Sequence, residues 1–398
     1  MCQPATLQSH WTLAPLSGYD GTTFLASGPA SMKNLKPLSK RPGRTSTQGV
    51  DRTRRAMLKA LPVMAFSPGI FAAAASAPIA VRKLHSYGLR VADVDRSLAF
   101  YQELFGALIQ ARQGDTVCLR IGDGPGFFSL LPLRPGEQAG ISHIGLSVEG
   151  FELELERDRL AAFGVEPGAE PAAGQSTLDS AMTSWTTTRG VDAGGDRAGT
   201  RELYFAGVEG LVFQLSPEDH CGGRGALGSV CENVEAAPVE GLFRTIGLSH
   251  FTNFLANSAR GNAFYMQAFG KQFQAYQGPS PLVGVGDGIQ FLMFVGGNAE
   301  GAPANPGRID HVCLSIEDFS VDEILAKLND YGFSARASAS DTPPLVHWVS
   351  MRMPNRGGIE GGTPEVYFSD PDGIRIQLQD QMYCGGGGYL GEICEPLA

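Results

Sequence analysis

Four cysteines occur in two nearly identical twelve-residue stretches, CGGRGALGSVCE and CGGGGYLGEICE. Thiols at this spacing around a glycine-rich loop can either bind a metal ion or form a disulfide bond. Two cysteines per stretch, with no nearby histidine pair, fall short of a four-ligand zinc site. We therefore predict disulfides between Cys221 and Cys231 and between Cys384 and Cys394, which implies an oxidising compartment.

These stretches belong to a duplication that spans most of the chain. An offset of 163 residues aligns both stretches and, without a gap, Trp185 with Trp348, Arg189 with Arg352, Glu202 with Glu365 and Gln214 with Gln377. Further upstream, an offset of 164 residues aligns Ser86 with His250 and Tyr101 with Tyr265. Similarity at one domain-sized offset indicates a tandemly duplicated domain.

The composition restricts the partners of the chain. Of its 398 residues, 43% are hydrophobic and 18% are charged, which is ordinary for a globular protein with two cores. The formal net charge is −10, and most of the N-terminal charges are basic, so the remainder of the chain is strongly acidic. Because such a surface repels phosphate groups, we expect no nucleic-acid partner. We expect a small-molecule substrate and no stable membrane insertion, and a homo-oligomer is compatible with this composition.

The segment TRRAMLKALPVMAFSPGIFAAAASA resembles an export signal. It combines Arg54 and Arg55 with a moderately apolar run and with small residues that suit cleavage near Ala75. This order predicts a twin-arginine signal peptide at residues 51–77 and a periplasmic mature protein. The alternative is a helix with a chance arginine pair. We assign residues 1–50 to a disordered extension, an over-extended gene start, or a transit peptide that would direct the protein to an organelle lumen.

The elements that would position reactive side chains recur four times. Alternating strand patterns open at HSYGLRV, ISHIGLSVE, LSHFTNF and IDHVCLSIE, and three of them carry a histidine at the same position, namely His143, His250 and His311. A helical pattern follows the first and third strands, and in the first unit Asp93 should begin the helix and Gly106 should end it. Short strands separated by Gly, Pro and Asp come next. The sequence thus predicts an α+β fold of four units, each a strand, a helix and three strands.

This pattern resembles the vicinal oxygen chelate superfamily, which includes glyoxalases, bleomycin-resistance proteins and type I extradiol dioxygenases. The resemblance covers roughly residues 84–380, and its clearest motifs are LRVADVDRSLAFYQELFG, IDHVCLSI and YFSDPDGIRIQL. It implies that paired βαβββ units form two cups, in domains at residues 84–232 and 246–398 joined by a linker at residues 233–245. It also implies that the C-terminal cup is the active site and that the N-terminal cup holds no metal.

The resemblance implies metal ligands at His250, His311 and Gln377 in the C-terminal cup. The same positions of the N-terminal domain hold Ser86, His143 and Gln214. Two imidazoles and one carboxylate on one face suit iron(II) and oxygen chemistry, but here glutamine replaces the carboxylate. Iron(II) is the first expectation for the metal, followed by zinc, nickel or manganese.

Three further residues are candidates for proton transfer or substrate binding. Glu365 and Tyr367 are two residues apart in a strand pattern, so both side chains should point to the same face of the sheet. The resemblance implies that Tyr367 faces the substrate, so Glu365 could be an alternative third ligand or a general base. His347, whose counterpart is Ser184, is a candidate acid, base or neighbour of the ligands.

We therefore expect an exported, divalent-metal-dependent enzyme that acts on a small oxygenated substrate, with aromatic and catecholic compounds among the candidates. The resemblance leaves dioxygenase-type ring cleavage and lyase or isomerase chemistry open. The segment FLMFVGGN has glycines where ring-cleaving dioxygenases carry a catalytic histidine, which weakens the expectation of ring cleavage. The alternative from another class is a non-catalytic protein that binds and sequesters a small molecule.

Overall fold

A computed structural model describes residues 77–172, 180–297, 307–339 and 342–394. These residues form two nine-stranded mixed sheets with helices packed against them. The predicted N-terminal extension and almost all of the predicted export signal lie outside the described residues. In the described part of the chain, no helix is long and apolar enough to cross a membrane.

The first sheet and its helices come from the N-terminal half of the chain. The elements are β1 (Val81–Val91), α1 (Val94–Phe105), β2 (Ile109–Gln113), β3 (Thr116–Arg120), β4 (Phe127–Pro132), β5 (Gly140–Val148), α2 (Leu153–Ala162), β6 (Glu166–Pro167), β7 (Thr183–Arg189), β8 (Thr200–Ala206) and β9 (Val212–Ser216). The strand order in the sheet is β2-β3-β4-β1-β5-β9-β8-β7-β6. The opening strands of the two units, β1 and β5, therefore pair at the centre.

The second sheet repeats this arrangement. Its elements are β10 (Thr245–Phe254), α3 (Ser258–Phe269), β11 (Phe273–Gln277), β12 (Ser280–Gly284), β13 (Phe291–Val295), β14 (Arg308–Ile316), α4 (Val321–Tyr331), β15 (Ser334–Ala335), β16 (Val346–Arg352), β17 (Thr363–Ser369) and β18 (Arg375–Asp380). The strand order, β11-β12-β13-β10-β14-β18-β17-β16-β15, equals that of the first sheet with every number raised by nine. The predicted α+β fold of four units paired into two cups is confirmed, and the second unit of each cup carries one additional strand of two residues.

Strand pairing determines which side chains face the interior of each cup. Tyr87 of β1 lies opposite Ile144 of β5, and both are fully buried in the hydrophobic core. Because side chains alternate along a strand, Ser86 points to the other face, into the N-terminal cup. In the second sheet His250 of β10 lies opposite Cys313 of β14, on the face away from the core.

The two halves share one core because α1 of the first half packs on the second half. Phe100 contacts Phe333 and Phe368, with ring centroids 6.1 and 6.3 Å apart. The neighbouring Tyr101 donates a hydrogen bond of 2.9 Å from its hydroxyl to the carboxylate of Asp370, in the turn after β17. Removal of a buried aromatic ring of this kind costs about 3 to 5 kcal/mol of folding free energy.

The reciprocal contact joins α3 of the second half to the first half. Tyr265 packs against Phe213 with ring centroids 5.0 Å apart. Gly207 occupies the position that corresponds to Asp370, and a Cβ there would lie 2.3 Å from the Tyr265 hydroxyl. Glu209, two residues further on, accepts hydrogen bonds of 2.7 and 2.8 Å from two consecutive backbone amides before α3. The duplication has therefore diverged into two interlocking contacts with different polar groups.

The predicted helix ends and disulfides are confirmed. Asp93 accepts a hydrogen bond of 3.0 Å from the backbone N–H of Arg96 at the start of α1, and Gly106 ends this helix at a φ of 59°. Cys221 is bonded to Cys231, and Cys384 to Cys394. Because the four sulfur atoms are bonded in two pairs, one in each loop, the alternative of a metal-binding loop is wrong.

Candidate functional site in the C-terminal cup

Two of the predicted metal ligands, His250 and His311, lie side by side in the C-terminal cup. They belong to the paired central strands β10 and β14, and their ring centroids are 5.8 Å apart at an angle of 80°. Both residues are more than nine-tenths buried. Gln377 of β18 pairs with Cys313 of β14 and with Tyr367 of β17, which carries its amide into the same cup. The structure thus brings the three predicted ligand positions together.

His311 is oriented by a neighbouring carboxylate. Its Nδ1 lies 3.0 Å from Oδ2 of Asp310, and Arg375 in turn holds Asp310 at 3.1 Å. Burial alone would raise the pKa of Asp310, but its hydrogen bond with His311 and the nearby arginines lower it. With Nδ1 engaged, Nε2 of His311 is buried and has no hydrogen-bond partner. Histidines that bind metals are typically fixed by this kind of contact through their other nitrogen.

Gln377 and His250 complete the group of inward-facing donors. The amide oxygen and nitrogen of Gln377 are both buried and make no hydrogen bond of normal geometry, although the amide is close enough to His250 to oppose the lowering of the imidazole pKa. His250 stacks on Phe291 with ring centroids 4.4 Å apart, and its Nδ1 lies 3.2 Å from the hydroxyl of Ser249. Burial, and secondarily the neighbouring His311, lowers the pKa of His250 well below its usual value. A neutral imidazole is the form that binds a metal ion.

Glu365 faces the cup, but its carboxylate is occupied by other side chains. Oε1 accepts hydrogen bonds from Arg352 at 3.1 Å and from the hydroxyl of Tyr383 at 3.0 Å, and Oε2 accepts one of 3.3 Å from Tyr367. Within the described ranges, no three His, Cys, Asp or Glu side chains are grouped so that they could hold a metal ion. The structure therefore gives no support to Glu365 as an alternative third ligand, because Arg352, Tyr367 and Tyr383 already bind its carboxylate.

The two tyrosines on Glu365 are hydrogen-bond donors at neutral pH. Burial, followed by the negative charge of Glu365, raises the pKa of both Tyr367 and Tyr383 well above the usual value. Tyr367 also stacks on Trp348 with ring centroids 5.2 Å apart and an interplanar angle of 3°. The predicted common face of Glu365 and Tyr367 is confirmed by their hydrogen bond.

His347 lies on the opposite face of the sheet, so the structure gives no support to its predicted catalytic role. It pairs with the core residue Phe368 across β16 and β17, whereas the next residue, Trp348, pairs with Tyr367. Its Nε2 lies 2.8 Å from the side-chain oxygen of Asn329 in α4. The side chain therefore connects the sheet to helix α4.

Tyr383 is a site residue that sequence analysis missed. It directly precedes the disulfide-bonded Cys384, and its ring centroid lies 5.5 Å from that of His250. Its hydroxyl accepts a hydrogen bond of 2.9 Å from Gln277. Gly391, in the left-handed conformation at φ +70°, packs directly on this ring, where a Cβ would lie 2.5 Å from it. The C-terminal cysteine loop thus holds the Tyr383 ring beside His250. This contact explains why the loop has glycine at position 391.

The N-terminal cup has the same frame with different polar groups. Of the aligned positions Ser86, His143 and Gln214, only His143 is an imidazole, and its Nδ1 lies 2.9 Å from the hydroxyl of Ser142. Two histidines missed by the sequence analysis lie nearby. His85 and His220 are both buried, with ring centroids 6.1 Å apart, and His220 occupies the position that corresponds to Tyr383.

Comparison with known proteins yields similarity at the level of fold. No protein-family model matches the sequence, and no curated protein matches it. Among solved structures, a variant of homoprotocatechuate 2,3-dioxygenase from B. fuscum is similar with 16% identity and a TM-score of 0.48, covering 77% of this chain and 73% of that one. The 2,3-dioxygenase LapB from Pseudomonas sp. KL28 has 18% identity and a TM-score of 0.48, with 76% and 93% covered. The Mn(II)-bound glyoxalase from Novosphingobium aromaticivorans has 15% identity and a TM-score of 0.47, with 76% and 82% covered.

Proposed function

We propose that the C-terminal cup is the site of a divalent-metal-dependent enzyme that acts on a small oxygenated substrate. One observation carries this proposal. Nε2 of His311 and the amide of Gln377 are buried polar atoms without a hydrogen bond of normal geometry, and they lie beside the neutral His250. A buried polar atom without a hydrogen-bond partner costs about 1 to 3 kcal/mol of folding free energy. Several such atoms close together therefore indicate a ligand-binding site. A cation that accepts a lone pair from Nε2 of His311 and one from the amide oxygen of Gln377 would remove the cost for these two atoms.

The chemistry of the donors limits the choice of ion. His250, His311 and Gln377 would hold it through two imidazole nitrogens and one amide oxygen, all neutral. Imidazole suits iron, zinc and nickel, and the amide oxygen suits manganese as well. Without a carboxylate ligand the ion keeps its full charge, so we expect weaker binding than in a site with two histidines and a carboxylate, and a stronger pull on a substrate oxygen.

The bound ion would supply Lewis-acid polarisation of a substrate carbonyl or enolate oxygen. Proton transfer and substrate contacts would be provided by Glu365 and the side chains around it. Its Oε2 carries only the longer hydrogen bond from Tyr367, so this oxygen is the group that can accept a substrate proton. Tyr383 donates its one hydroxyl proton to Oε1 of Glu365 and so positions that carboxylate beside His250. Trp348 and Tyr367, whose rings stack on each other, would supply aromatic contacts to a substrate.

Two reaction classes fit this set of groups. Lyase or isomerase chemistry needs a Lewis acid and a proton acceptor, and the cup offers candidates for both. Dioxygenase-type ring cleavage would need oxygen and iron(II) at the same position. The alternative of a non-catalytic binding protein is favoured by one observation, since Arg352, Tyr367 and Tyr383 all bind the only carboxylate proposed as a base.

We also propose that the protein is exported. Two disulfides favour an oxidising environment, and the twin-arginine segment would direct the chain through the membrane to the periplasm after folding. Folding before export would let the cup take up its metal inside the cell.

Metal titration of matched variants tests the proposed site. The protein is treated with a chelator, dialysed, and titrated anaerobically with iron(II), and separately with zinc, nickel and manganese. We expect one equivalent of at least one of these ions in the wild type, and its loss in His250→Ala and in His311→Ala. His143→Ala, at the corresponding position of the N-terminal cup, is the control and should bind as the wild type does. Equal binding by all variants, or none by the wild type, would contradict the proposal.

A further inference from the structure

The N-terminal cup contains an open cavity with a volume of about 710 Å³. Its wall includes His143 of β5, Trp185 of β7, and Glu202 and Tyr204 of β8, all on the face of the sheet opposite the core. Arg90 and Arg134 also line it. The volume falls within the range of cavities that bind small molecules in proteins, about 300 to 1,000 Å³.

One wall of the cavity is aromatic. Trp185 and Tyr204 stack with ring centroids 5.9 Å apart and an interplanar angle of 13°. His143 meets the Tyr204 ring edge-on at 5.6 Å. A planar aromatic molecule can pack against the parts of these rings that line the cavity and gain dispersion contacts there.

Two polar side chains in the cavity, Glu202 and His143, each have an atom that can form a hydrogen bond with a ligand. Oε1 of Glu202 accepts a hydrogen bond of 3.0 Å from Arg189, but Oε2 has only a long contact of 3.4 Å with the hydroxyl of Thr187. Nδ1 of His143 is engaged by Ser142, so Nε2 is the ring nitrogen that a ligand could meet. Burial lowers the pKa of His143 to about 4, so the ring is neutral at pH 7.

The polar groups of the cavity disfavour an anionic ligand. Arg90 is 3.3 Å from Glu137, and Arg134 is 2.9 Å from Glu170, so both guanidinium groups are already paired. Oε2 of Glu202 can only accept a hydrogen bond, and an ionised carboxylate has no hydrogen to donate to it. A hydroxyl group, by contrast, can donate a hydrogen bond to Oε2 of Glu202.

We infer that the N-terminal cup is a second small-molecule site, one that binds an uncharged hydroxylated aromatic compound. The ring would lie along Trp185 and Tyr204, and its hydroxyl would donate a hydrogen bond to Glu202 within reach of His143. This site is independent of the proposed metal in the other cup, since no residue is shared between them. Its failure would leave the proposed enzyme untouched.

Calorimetric titration of the metal-free, full-length protein with 2-naphthol and with 2-naphthoate tests this inference. We expect one equivalent of 2-naphthol to bind, and 2-naphthoate to bind at least about tenfold more weakly because its carboxylate has no hydrogen to donate to Glu202. Trp185→Leu should weaken 2-naphthol binding about tenfold or more, because the stacking surface is lost. Trp348→Leu makes the same change in the C-terminal cup. It should alter the affinity for 2-naphthol less than about twofold, because Trp348 does not line the N-terminal cavity.

Glu202→Gln provides a second test that does not depend on the tryptophan. It should narrow the preference for 2-naphthol over 2-naphthoate, whereas Glu365→Gln in the other cup should leave that preference unchanged. Circular dichroism confirms that each variant is folded. Three results would overturn the inference: no binding of 2-naphthol by the wild type, equal affinity for the two compounds, or loss of binding in Trp348→Leu with binding retained in Trp185→Leu.

Discussion

The buried carboxyl of Asp370 should make the stability of the protein depend on pH, and Asp370→Asn should remove that dependence. The side chain is fully buried where α1 of the first half meets the second half. Oδ2 accepts the hydrogen bond from Tyr101, and Oδ1 accepts backbone hydrogen bonds of 2.9 and 2.8 Å from Asp372 and Ile374. Asparagine can keep the two backbone bonds through its oxygen and can donate to the Tyr101 hydroxyl through its nitrogen.

The sign and the size of the effect follow from the pKa. Burial raises the pKa of Asp370 from 3.8 to about 6, although its hydrogen bonds oppose this change. A raised pKa means that the folded state holds the proton more tightly than the unfolded state, so this contribution is complete below pH 3.8 and is lost as the pH rises through 6. A difference of roughly 2 pH units corresponds to about 3 kcal/mol of unfolding free energy.

Urea denaturation of wild type and Asp370→Asn between pH 4 and pH 8 measures this contribution. Near pH 4 the wild-type carboxyl is protonated, so the two proteins should have nearly equal unfolding free energies, and this condition is the internal control. At pH 8 the variant should be more stable by up to about 3 kcal/mol. A difference between the two proteins that does not change with pH would refute the reasoning.

Three further predictions concern the cysteine loop, the third ligand and export. Replacing Cys384 and Cys394 together by Ser should lower the unfolding free energy by about 2 to 3 kcal/mol in urea denaturation, as expected for a short closed loop; an unchanged value would show that the loop is held by other contacts. Gln377→Glu should tighten metal binding about tenfold or more in a competition titration, because it adds a charged ligand, and unchanged or weaker binding would exclude this residue as a ligand. Replacing Arg54 and Arg55 together by Lys should retain the precursor in the cytoplasm on cell fractionation, and normal export would contradict the twin-arginine signal.

Sequence analysis could predict the features that depend on local pattern or on the duplication. Alternation along each strand and the helix ends, such as Gly106, were sufficient for the order of elements, except for the two-residue strands β6 and β15. The duplication was sufficient for both disulfides, because each cysteine has a copy at a fixed offset. The common face of Glu365 and Tyr367 followed from the two-residue period alone.

The remaining features depend on contacts that a local pattern does not contain. His347 lies in a strand with bulky side chains on both faces, so alternation could not tell which face meets the cup, and pairing with Phe368 decides it. Tyr383 lies outside the strands, directly before the closed cysteine loop, and only the folded structure shows that its ring lies beside His250. His85 lies at an irregularity in the pairing of β1 with β5, between Leu84 and Ser86, where the period of two is interrupted.

Anomalous diffraction from crystals grown with the bound metal would test the central claim most directly. Data collected on both sides of the absorption edge of the ion locate it without reference to activity. We predict one strong peak in the C-terminal cup, about 2.0 to 2.2 Å from Nε2 of His311 and from a nitrogen of His250, with the amide oxygen of Gln377 as the third protein ligand. A metal-loaded crystal with its peak elsewhere, or with no peak between these three side chains, would contradict the assignment of this cup as a metal site.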